Sequence, residues 1–132
     1  MITRAQYFQA KPHTADHEVA AYDLLKRVDS LLQTLNYTPP NCPNTGTQIS
    51  GSKGGSGDGG FRLQTATTGA ALSSHKTGQG IDLYDPVNHL DAILTDTLLE
   101  QFGLYREDPS ATVGWTHLTT RAPHSGNRTF LP

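Results

Sequence analysis

Only one cysteine, Cys42, occurs in the 132 residues. No intrachain disulfide can form, and a cysteine-based zinc site is excluded. Basic charge is also scarce. Ten Lys and Arg against twelve Asp and Glu leave a net charge of -2, without the basic stripe that nucleic-acid binding needs. No apolar run approaches the roughly 18 residues of a membrane span. Residues 1–10 lack the apolar segment of a secretory signal. These absences predict synthesis in the cytoplasm, no membrane insertion and no nucleic-acid partner. A substrate beyond the membrane would then require another factor to release the protein. Hydrophobic residues make up 35% of the chain, enough for a core at this length, where folding buries roughly 68% of the unfolded surface. No repeat or shift in composition divides residues 1–132, so one domain is expected.

Residues 14–36 predict a helix. Leu24, Val28, Leu31 and Leu35 form one apolar stripe, Thr14 or Asp16 can cap its start, and Pro39-Pro40 forbids continuation. Residues 41–60 read as irregular. Their glycine-dense stretch, 51–60, lacks the Gly-Lys-Ser/Thr ending of a phosphate loop and is expected to border a cleft. A short strand is expected at 61–63, and a better one at 80–84, with Ile81 and Leu83 on one face and Asp82 on the other. A single helix is predicted over 88–102 from Leu90, Ile93, Leu94, Leu98 and Phe102, with Asn88 as N-cap and Gly103 as C-cap. A last strand is expected near 113–120, placing Trp115 and His117 on one face, followed by a loop-like tail from Arg121 to Pro132.

The chemistry concentrates in Ser73-Ser74-His75-Lys76-Thr77-Gly78-Gln79-Gly80-Ile81-Asp82 and in Trp115-Thr116-His117. His75, Asp82 and His117 make a nitrogen/oxygen donor set suited to Zn2+, and three protein ligands leave a fourth position for water. Gly78 and Gly80 let the backbone turn between the first two ligands. The remaining histidines carry less. His13 and His17 are four apart but lack the intervening Glu of a zincin helix and read as surface residues, His89 reads as a helix-start residue, and His124 lies in a loop. A Ser-His-Asp triad drawn from the same segment would leave Trp115 and His117 unexplained, so Ser73 is expected to orient His75 or bind substrate instead.

At these residues the chain resembles the D-alanyl-D-alanine metallopeptidase superfamily, which includes L-alanyl-D-glutamate endopeptidases and the zinc domain of hedgehog proteins. The hallmark Ser-x-His-x-x-Gly-x-Ala-x-Asp is matched by Ser73, His75, Gly78 and Asp82, with Gly80 in the alanine's place, and the downstream Trp-x-His by Trp115 and His117. Ile49 to Lys53 is similar to the family's Ser-Gly-Tyr-Arg segment, and 103–128 to the end of small bacterial and phage-borne members. The likeness spans about residues 46–130. It implies a compact α+β domain, an antiparallel sheet bearing a zinc site in a groove and backed by helices. It also implies a zinc carboxypeptidase or endopeptidase for peptidoglycan stem or cross-link peptides. Many members carry a catalytic Glu three residues before the last histidine. Here that position is Gly114, so the general base is expected from Glu107, or from Asp108 second. Lys53, Arg62 and Arg128 are the candidate cations for substrate or oxyanion, with Ser73 and Trp115 completing the substrate side. Two rivals are a zinc-binding module that holds wall fragments or a protein partner without cleaving them, and a phage structural protein with a vestigial site.

Overall fold

The long helix forms where its stripe predicts. In the computed structural model, which describes residues 1–51, 58–70 and 72–132, helix α2 spans Ala15–Leu35. A reciprocal cap starts it: Thr14 Oγ1 accepts from His17 N–H and His17 Nδ1 accepts from Thr14 N–H. Asn36, in the left-handed region at φ 51°, ends it. Ala21, Leu24, Val28 and Leu31 are buried in one cluster with Ile81, Leu83 and Leu118 of the sheet. Each such fully buried aliphatic side chain contributes about 1.5–3 kcal/mol.

A short helix not predicted from the sequence, α1 (Arg4–Phe8), precedes it. Its apolar pair Tyr7 and Phe8 is buried, and an Arg4–Glu18 ion pair joined by His13 ties it to α2. His13, expected at the surface, is instead partly buried and stacked on Phe8 with 3.7 Å between ring centroids. Tyr7 anchors the site from behind. Its carbonyl accepts from Phe61 N–H at 2.9 Å and its hydroxyl donates to the Gly80 carbonyl at 2.9 Å. A Cβ at Gly60 would lie 2.4 Å from the Tyr7 carbonyl oxygen, so only glycine lets this strand of chain cross α1 so closely. Residues 61–63 thus run as irregular backbone rather than as the expected strand.

The sheet has four strands in the order β1-β3-β2-β4: β1 Gly80–Tyr84, β2 Tyr105–Glu107, β3 Trp115–Thr119 and β4 Thr129–Phe130. β1/β3 and β2/β3 are antiparallel, whereas β2/β4 is parallel. The architecture is α+β as expected, but the sheet is mixed rather than antiparallel. The difference arises in the tail, where Arg106 N–H donates to the Arg128 carbonyl and Asp108 N–H to that of Phe130. The decisive register is Asp82 opposite His117 and Ile81 opposite Leu118. Alternation sends Ile81, Leu83 and Leu118 into the core and the two polar residues to the other face.

The single helix expected over 88–102 is two: α3 His89–Ile93 and α4 Asp96–Gln101. The break falls at Leu94, extended at ψ 138°, because Thr95 caps a new start by accepting Leu98 N–H at 3.2 Å. Asn88 is left-handed and makes no side-chain cap. Its role is taken by Asp85, whose carboxylate accepts from Leu90 and Asp91 N–H, each at 3.1 Å. Gly103, at φ 65°, follows α4 as expected.

Beside that cap, Asp91 is buried with its ion-pair partner, Arg106 Nη1, 3.8 Å away. Burial pushes its carboxyl up to about 6, with Thr116 and Arg106 opposing and Asp85 and Asp108 adding. The unfolded value is about 3.9. The fold therefore favours the neutral form: its contribution is full below pH ~4 and is lost as pH rises through about 6. Asp91→Asn removes this titration. Its urea midpoint should gain on the wild type between pH 4 and 7, and a constant difference would contradict the assignment.

Candidate metal centre

His75 sits on a one-turn 3-10 helix, Ser74–Thr77, whose start is capped by Ser73 Oγ accepting from His75 N–H at 3.2 Å. Asp82 lies mid-strand in β1 and His117 mid-strand in β3, paired in register. Two adjacent strands and a short helix thus fix three side chains at one place. One ligand atom from each lies within 4.8 Å of the other two, and all three residues are buried or nearly so.

The donor arrangement suits a cation. His75 Nδ1 lies 2.9 Å from the Gly60 carbonyl oxygen, an acceptor only, so Nδ1 carries the proton. The Nε2 of a neutral imidazole then presents a lone pair to Asp82 Oδ1, 3.2 Å away. His117 Nδ1 faces the same oxygen at 2.8 Å. His117 Nδ1 can donate its own N–H to that oxygen, so the conflict is the His75 Nε2 lone pair, which a proton or a metal ion between the groups relieves. The 3.2 Å separation is near the edge of a tetrahedron built on bonds of about 2.0 Å, roughly 3.3 Å, whereas the 2.8 Å separation is that of an ordinary hydrogen bond. The cluster fits a metal ion. Burial pushes the Asp82 carboxyl up, but the two imidazoles outweigh it and hold the group well below the usual carboxylate range.

The cluster forms the floor of a cleft of about 500 Å³ whose walls include Arg62, Ser73, Glu107, Trp115, Arg121 and Phe130. Arg62, expected to face substrate, lines the cleft and is also anchored to its surroundings. Its Nε donates to the Asp58 carbonyl at 2.7 Å, Nη1 to that of Thr68 at 3.3 Å, and Nη2 points at Asp82 Oδ2 at 3.5 Å. Ser73 and Trp115 line the cleft as expected. Arg128 does not. Its guanidinium lies 4.3 Å above the Tyr105 ring and donates to the Leu104 carbonyl. Lys53 lies outside the described residues. His124 is exposed and next to Pro123, which lines the cleft, but is not itself among the lining residues, and His17 serves the α2 cap.

Glu107 reaches the cleft from the end of β2. The β2/β3 register pairs Tyr105 with Thr119 and Arg106 with Leu118, so the next step along it is Glu107 beside His117. Burial pushes the Glu107 carboxyl up and Asp82 adds to this, while His117, His75 and Arg62 pull it back. Asp108, the second candidate, is spent on capping. Its Oδ1 accepts from Ser110 N–H at 2.9 Å and from its hydroxyl at 2.7 Å. Gly114, the position three residues before His117, is left-handed. Its φ of +93° is a conformation that a glutamate rarely adopts.

Sequence reasoning missed four contributors: the Gly60 carbonyl, Tyr7, Arg121 and Phe130, whose ring lies edge-on 6.4 Å from that of His117. Only Arg121, four residues after His117, had a local signal. No known protein family, curated protein or solved structure matches the chain. No described helix is long and apolar enough to cross a membrane.

Proposed function

We propose that the protein is a zinc-dependent peptidase that hydrolyses amide bonds in peptidoglycan stem or cross-link peptides, a small member of the metallopeptidase superfamily that its motifs resemble. The observation that carries the metal is the convergence of His75 Nε2 and His117 Nδ1 on one oxygen of Asp82. The donor set of two imidazoles and one carboxylate favours Zn2+. A bound Zn2+ would supply Lewis-acid polarisation and an activated water. Glu107, in the same cleft and raised by burial, is suited to take a proton and return it to the leaving amine. Trp115 and Ser73 border the space that a peptide would fill. The substrate class itself rests on the motif likeness.

Purified peptidoglycan incubated with zinc-loaded protein should yield fragments with new amine and carboxyl ends by mass spectrometry, and a chelator should abolish them. Stoichiometric zinc without new ends would replace the peptidase with a module that binds wall fragments. Zinc below about 0.1 per chain after gentle purification would remove the metal centre.

A further inference from the structure

Ser74 stands directly behind the ligand cluster and has no part in the reaction above. It is buried, and its Oγ lies 3.4 Å from His117 Nε2, the only hydrogen-bond partner of that hydroxyl among the described residues. Its position is fixed from both sides. The Ser74 carbonyl accepts from Gln79 N–H at 2.9 Å and from the Thr77 hydroxyl at 3.1 Å. Across from it, a Cβ at Gly80 would lie 2.2 Å from Ser74 Oγ and 3.1 Å from His117 Cε1. The hydroxyl thus occupies the space that a side chain at position 80 would take. An alanine at position 80 would force Ser74 Oγ out of its present position. Gly80 is what admits the serine.

We infer that Ser74 is a positioning residue that accepts a hydrogen bond from His117 Nε2–H and thereby turns the bare Nδ1 toward Asp82, with Gly80 making room for it. An imidazole binds a metal through the nitrogen that carries no proton, and the bond made by the other nitrogen selects which one that is. His75 is fixed in the opposite sense by the Gly60 carbonyl. The two histidines therefore present different nitrogens, Nε2 from His75 and Nδ1 from His117, to the same carboxylate oxygen. The connectivity Ser74–His117–Asp82 also has the order of a hydrolytic triad. His75 decides against it. A triad needs no second imidazole on its aspartate, and this one lies 3.2 Å from the same Oδ1.

The inference rests on the metal centre proposed above, because only an ion leaves His117 Nδ1 bare beside the carboxylate. Long-range 15N–1H spectra of the histidine rings should place the His117 proton on Nε2 in the zinc-loaded protein, whereas without the ion Nδ1, 2.8 Å from Asp82 Oδ1, keeps a proton of its own. Ser74→Ala should let that proton exchange out of the spectrum and weaken zinc binding about ten- to a hundredfold, measured by competition with a chelating dye. Ser74→Thr, which keeps the hydroxyl, should restore the signal. Gly80→Ala, which keeps the hydroxyl but fills its space, should reproduce the loss and covers the case in which Ser74→Ala does not fold. An unchanged His117 signal and zinc affinity in Ser74→Ala would overturn the inference, as would a proton on Nδ1 in the loaded protein or labelling of Ser74 by a fluorophosphonate. Wild-type protein that takes up no zinc, while its Nε2 proton still depends on Ser74, would support the hydrogen bond and remove the metal centre instead.

Discussion

Glu107→Gln should lower kcat on a peptidoglycan peptide by about 10²- to 10⁴-fold, the range that a positioned general base supplies, while zinc content stays at the wild-type level. The substitution keeps the size of the side chain and removes only its ability to take a proton. Nothing in the ligand cluster depends on it, because His75, Asp82 and His117 are held by Gly60, by each other and by Arg62. The pH profile separates this role from a structural one. A base acts when ionised, so activity should rise with pH through its pKa. Burial raises the carboxyl, which moves the acid limb above the ordinary Glu value of about 4.3. In Glu107→Gln that limb should vanish from whatever activity remains. A variant that loses zinc along with activity, or that keeps the limb, would transfer the base to another group.

The parts of this site that were legible in the sequence are those whose signal is local. Helix α2 carries its cap, stripe and stop within its own residues, and the alternation around Asp82 and His117 fixes which side chains leave the core. Glu107 could be nominated by its proximity to His117 in sequence, but only the β2/β3 register brings it into the cleft. What was not legible is set by distant backbone. The tautomer of His75 depends on a carbonyl fifteen residues away, and the support behind Gly80 comes from Tyr7, seventy-three residues away. The parallel strand β4 comprises two residues, Thr129 and Phe130, too few for any periodicity. Over 88–102 the failure was different in kind. The apolar stripe runs on through the break, and it outweighed the cap that Thr95 offers in plain view. Arg62 and Arg128 show the same limit for charge: both were nominated as free cations, and both are occupied by carbonyls that sequence cannot place.

Asp82→Asn should damage stability and metal binding together, because one carboxylate serves both. In the metal-free protein Oδ1 faces two imidazoles and Oδ2 lies 3.5 Å from the partly buried Arg62. The amide keeps the shape but removes the anion, leaving Arg62 without its counter-charge though still bonded to the Asp58 and Thr68 carbonyls. Removing one partner of a fully buried pair costs about 3–5 kcal/mol; with Arg62 only partly buried, urea unfolding in the presence of chelator should show a smaller loss at pH 7. The pH dependence follows from the sign of the shift. The carboxyl is depressed in the fold, so its contribution is present above the unfolded value of about 3.9 and is lost as pH falls below it. The gap between wild type and Asp82→Asn should therefore close in acid. Zinc adds a second, independent difference. An ion at a hundred times its Kd stabilises the form that binds it by about 2.7 kcal/mol. The wild type should gain accordingly, whereas Asp82→Asn, stripped of the charged member of its donor set, should gain nothing. Equal stabilisation of both proteins by zinc would place the ion elsewhere on the molecule. Equal stability of both without zinc would mean that the two imidazoles and Arg62 do not need the charge they surround.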